Sequence, residues 1–80
     1  MDPQMAHRHL VEAERHVALG EAHVARQLAI VKRLESAGHP IGLACDVLDT
    51  FRMLLASHID HRDLIRREID DWKAVRNVGT

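Results

Sequence analysis

"SAGHPIG", residues 36–42, separates two long runs of helix-forming sequence and decides how the chain folds. A glycine just past a helix end can take the left-handed conformation that closes the last turn, and a proline soon after can open a new helix. Gly38 and Pro40 occupy those two places. So short a connection leaves the second helix no path except back along the first. The expectation is an all-α chain: an antiparallel two-helix hairpin forming one domain over residues 1–80. Helix 1 is expected over 3–37, the turn over 38–40, helix 2 over 41–75 and a frayed tail over 76–80.

Upstream of the turn, Asp2-Pro3 marks a helix start, because the carboxylate can accept from free N–H groups and proline costs nothing at the first helical position. Leu10, Val17, Val24 and Val31 then recur every seven residues, with Ala6, Ala13, Gly20, Gln27 and Leu34 interleaved. That spacing makes one helical face. Downstream, Leu43, Val47, Phe51, Leu54, His58, Ile65, Ile69 and Trp72 read as the matching stripe, with Leu48, Leu55 and Ile59 widening it to one side. No strand pattern competes. Each helix, at ~1.5 Å per residue, should be roughly 50 Å long.

Two such rods touch along one seam, and eighty residues form a marginal isolated fold. Surplus apolar surface is visible on both. Ala18, Ala22, Ala25 and Ala29 form a second stripe on helix 1, small enough for another helix to approach closely, and the wide face of helix 2 also asks for cover. Two hairpins pairing into a twofold four-helix bundle would supply it. The chain itself is thus the expected partner, with another helical protein, such as a regulator or sensor, as a further one.

Composition narrows the function classes. Eleven Lys and Arg against twelve Asp and Glu give none of the attraction to phosphate on which nucleic-acid binding rests. No run of eighteen apolar residues suggests a membrane span, and the N-terminal segment does not read as a leader. One cysteine, Cys45, excludes an internal disulfide and a cysteine-based zinc site. A cytoplasmic protein with neither nucleic acid nor membrane as partner is expected. Arg8, Arg15, Arg26 and Arg33, and separately Glu14 and Glu21, read as solvated flanks. His61-Arg62-Asp63-Leu64 spells the start of a kinase catalytic loop, yet Glu68 stands where its asparagine belongs and no glycine-rich loop exists. Cys45 falls away from the seam with nothing to orient a base beside it. No enzyme is expected, and no catalytic residue is assigned.

Seven histidines are the compositional oddity. If the turn is centred near residue 39, facing residues have numbers summing to roughly 78, and Gly20 faces His58. A glycine there would leave room for an imidazole, making a polar layer bordered by His16, His23 and His61. His9, His16 and His23, whole heptads apart, should be semi-buried at the edge of the seam; His7 and His39 should be exposed. His58 and His61, three apart on one helix, can aim at a common point, and His16 could add a third metal ligand for Zn, Cu or Ni. A structural layer that sets register is the simpler role.

The stretches "AERHVALGEAHVARQ", "AGHPIGLACDVLDTF" and "SHIDHRDLIRREI" resemble small uncharacterised helical-hairpin proteins of soil and plant-associated proteobacteria, over roughly residues 5–69. That resemblance implies a bacterial cytoplasmic hairpin and brings no activity, cofactor or catalytic residue with it. The leading functional expectation is a non-enzymatic helical protein–protein interaction module that self-associates through its apolar faces. Its core and interface would comprise Leu10, Val17, Gly20, Val24, Val31, Phe51, Leu54, His58, Ile65, Ile69 and Trp72. The alternative is a histidine-based transition-metal-binding or metal-responsive protein built on His16, His58 and His61. A third is a helical assembly that loosens in mild acid, because imidazoles grouped at an interface repel once protonated.

Overall fold

The computed structural model describes residues 2–78, with side chains through residue 75. Two helices, α1 (Pro3–Ser36) and α2 (Gly42–Val78), pack against each other as an antiparallel hairpin. The rod is 66 Å long and 15 by 13 Å across. No strand occurs among the described residues.

The start of α1 is the expected one: the Asp2 carboxylate accepts from the Gln4 N–H at 3.0 Å and Pro3 takes the first helical position. Its end is closed by Gly38 at φ +76°. His39 N–H donates to the Leu34 carbonyl at 2.9 Å and Gly38 N–H to that of Glu35 at 3.1 Å, the paired bonds of a Schellman closure. Pro40 does not open α2. His39 is committed to closing α1, so the proline is carried outside both helices. The Ile41 carbonyl instead takes the first bond of α2, from Cys45 N–H at 2.8 Å. At the far end α2 runs to Val78, three residues beyond the point where fraying was expected; Gly79 and Thr80 lie outside the described residues.

On α1 the seam matches its heptad pattern. Ala6, Ala13, Val17 and Val31 are buried, and Leu10, Gly20, Val24, Gln27 and Leu34 are half-buried between them. On α2 the seam is rotated from the expected stripe. From Ile41, just before the helix, it follows a strict three-four spacing through Ala44, Leu48, Phe51, Leu55, His58, Arg62, Ile65, Ile69 and Trp72, all buried or half-buried. Leu48 and Ile65 are the best covered. Leu54, expected in the core, is 50% exposed, and Leu43 is 80% exposed. The reason is geometric: one α1 partner can cover only a narrow stripe of α2, and Leu48 and Leu55 hold its centre.

The register also differs. His16 meets His58 and His23 meets Phe51, pairs whose numbers sum to 74; Gly20 meets Leu55, a sum of 75. Residues 39–41 are not helical, and such residues can advance the chain by about 3.3 Å each where helical ones rise about 1.5 Å. The chain therefore descends beside α1 before α2 begins, and every α2 position faces α1 about one turn away from the symmetric estimate. Gly20 consequently does not house His58. It faces Leu55: a Cβ at position 20 would stand 3.1 Å from Leu55 Cδ1 and 3.6 Å from its Cα, so the close approach is at the end of the leucine side chain.

Candidate functional site

The two long sides of the hairpin are unlike. On one, Glu14 and Arg66 approach to 3.9 Å across the seam. Both are half-exposed, so the pair adds little to stability. The other side carries an open groove lined by His16, Leu19, Gly20, His23, Phe51, Leu54 and His58. It continues one to two turns further along α1 as a smaller cleft between His9, Glu12, Ala13, His16 and His61.

Heptad spacing places the histidines there. His9, His16 and His23 each precede a core residue of α1, so all three ride one edge of the seam. They are more exposed than the semi-buried state expected of them, because α2 covers only the seam-facing part of each ring. His7 and His39 are exposed, as expected. The His23 ring stacks on Phe51 with centroids 5.4 Å apart and planes 17° apart. The His16 ring meets the half-buried His58 ring at 5.2 Å, tilted by 53°. The His23 imidazole therefore covers apolar surface on its inner face while its outer edge stays wet.

The three expected metal ligands are brought near one another without converging. His16 sits between His58 on one side and His61 on the other, in two adjacent clefts. Among the described residues, no three His, Cys, Asp or Glu side chains form a group able to hold a metal ion. The i, i+3 spacing of His58 and His61 turns them to different clefts here: His58 lies at the seam and His61 is exposed.

Two seam features are not visible in the residue pattern. Gln27 donates from Nε2 to the Ala44 carbonyl at 2.9 Å, pinning the beginning of α2 to the last third of α1. Arg62, in the stretch that mimics a kinase loop, occupies a seam position with its side chain only 23% exposed. The register sets it opposite residues 12 and 13, and its guanidinium pairs with the Asp63 carboxylate at 3.0 Å. Cys45, expected away from the seam, is half-buried. Trp72, expected in the core or interface, is half-buried in a cleft with Pro3, Ala6, His7, Leu10, Ile69 and Lys73.

The small-residue stripe Ala18, Ala22, Ala25 and Ala29 is exposed throughout, on the side of α1 turned away from α2. No helix among the described residues is long and apolar enough to cross a membrane. Compared with protein-family models, curated proteins and solved structures, the chain matches none.

Proposed function

We propose that the chain is a non-enzymatic helical interaction module whose first partner is a second copy of itself, two hairpins pairing along the grooved side into an antiparallel four-helix bundle. The observation that carries this reading is surplus exposed surface. The hairpin leaves 6152 Å² accessible, where a compact monomer of 9.1 kDa would leave about 4,900 Å². The difference exceeds the roughly 800 Å² per partner that a standard interface covers.

The surplus has a direction. Leu19 and Leu54, about half exposed, flank the groove. Leu43 and Val47 precede Leu54 by eleven and seven residues on the same side of α2, and Met5 precedes Leu19 by two heptads on α1. These are among the apolar residues that one α1 leaves partly or wholly uncovered; Val11, Met53, Leu64 and Val75 are exposed as well. The grooved-side residues include Leu43, Val47 and Leu54 of the stripe expected for helix 2, which this reading assigns to contact between hairpins. The exposed alanine stripe of α1 remains open to a further helical protein.

Sedimentation velocity across about a hundredfold range of concentration tests the reading, because association follows mass action. The expected result is a dimer that dissociates on dilution, and a monomer for the Leu19→Glu, Leu54→Glu double variant with its helical circular dichroism retained. A monomer at every concentration, or a double variant that still dimerises, would overturn it.

A further inference from the structure

We propose that His16 and His58 form a two-histidine site for a transition-metal dication, spanning α1 and α2, with water completing the coordination. His61 has no part in it. The site belongs to the single hairpin; pairing along the groove would cover it, so it is titrated at a concentration where the chain is monomeric.

Geometry is the first ground. An imidazole nitrogen binds a dication such as zinc at about 2.0–2.1 Å, and the ring centre lies a little over ~1 Å behind that nitrogen. Two imidazoles on one ion at a tetrahedral angle therefore hold their ring centres about 5 Å apart. The His16 and His58 centroids are 5.2 Å apart. Turning an imidazole about its Cβ–Cγ bond leaves its centre almost in place, so this spacing survives a change of ring orientation that aims the nitrogens.

Availability is the second ground. Metal ligands must offer a bare nitrogen lone pair. Among the described residues neither ring makes a hydrogen bond or an ion pair; the half-buried His58 contains no buried nitrogen left without a partner, and His16 is exposed. Both rings line the open groove, which gives an ion an entry path and leaves room for its waters. His23, the next histidine along the same edge, has its ring stacked on Phe51. His16 and His58 are the pair that faces across the seam.

The chemistry sets the class of ion. Two neutral imidazoles suit copper, nickel and zinc, with copper(II) bound most tightly of the three, and they offer little to magnesium or calcium, which take oxygen ligands. Because ligand nitrogens must be unprotonated, acid weakens the site.

The test is calorimetric titration of the untagged full chain with copper(II) chloride, repeated with zinc chloride, alongside thermal melts. One ion per chain is expected. His16→Ala and His58→Ala should each weaken that binding at least about tenfold, since each removes one of two protein donors, while His61→Ala changes it little. Bound ion should raise the melting temperature of the parent and of His61→Ala, and not of the other two. Circular dichroism confirms that each variant is helical, and His16→Gln serves if His16→Ala is not. Absence of saturable binding, or His16→Ala binding as the parent does, overturns the site. So does a loss in His61→Ala equal to that in His16→Ala, which would put the ion in the neighbouring cleft.

Discussion

Gly20 of α1 lies directly against Leu55 of α2, and the contact is tight only at the mobile end of the leucine. The atom nearest a methyl group added at position 20 would be Leu55 Cδ1 at 3.1 Å, whereas its Cβ and Cα, at 3.5 and 3.6 Å, are at ordinary contact distance. Leu55 is half-buried and Cδ1 is the far end of a flexible side chain, so it can yield by a few tenths of an ångström. Helix propensity favours alanine over glycine by about 1 kcal/mol. Gly20→Ala should therefore stabilise the hairpin, by up to about 1 kcal/mol, in chemical denaturation. Gly20→Leu, whose side chain has no space against Leu55, should instead destabilise it by about 1–3 kcal/mol.

Gly38 stands in the opposite situation. Nothing lies within 4 Å of a side-chain carbon built there, yet its φ of +76° is strained for any L residue. Gly38→Ala should lower stability by about 1 kcal/mol or more, with the loss partly recovered in Gly38→Asn, because asparagine tolerates the left-handed region better. Equal stability of the alanine and glycine forms would mean that the turn can close in another way.

Arg62 places a charge at a seam position and pairs only with its chain neighbour among the hydrogen bonds and ion pairs described for it. Replacing such a side chain by an apolar one of similar length removes a desolvation cost and adds buried apolar area. Arg62→Met should raise stability by about 1 kcal/mol. A drop of similar size would show that the guanidinium, more than the methylenes, holds this layer together.

Gln27 makes the one side-chain hydrogen bond described between the helices, to the Ala44 carbonyl at 2.9 Å. Gln27→Ala should cost about 1 kcal/mol. It should also speed amide exchange in the first turns of α2, where the bond anchors the helix, before it affects the middle of the rod. Uniform acceleration along both helices would contradict that local role.

Much of the hairpin is legible in the residues. Asp2-Pro3 and Gly38 announce the ends of α1, and the valine heptad marks its buried face, because local capping and periodicity depend on nearby residues alone. The face of α2 is harder to read. Its seam contains Ala44, His58 and Arg62, which blur the apolar stripe, while Leu43 and Leu54 look like core residues and are left outside by a single partner helix. The register departs from the symmetric expectation by about a turn because it depends on the path of residues 39–41, and with it goes the pairing of Gly20 with His58. The histidine edge is visible in the spacing of His9, His16 and His23. Which rings they meet is not, since His16 with His58 and His23 with Phe51 follow from the register. No pattern of residue types announces the Gln27 bond, which needs the two helices already in place.

The glycine-closed turn has a kinetic consequence. Joining Gln27 to Ala44 closes a loop of 17 residues, whereas bringing Trp72 to Pro3 and Ala6 closes one of more than about sixty, and loop-closure entropy grows with length. The rod should zip from Gly38 outward and unzip from the open end inward. Trp72 would then feel water before the bulk of the helix is lost, so its fluorescence reports the parting of the rod's tips ahead of the collapse of its middle.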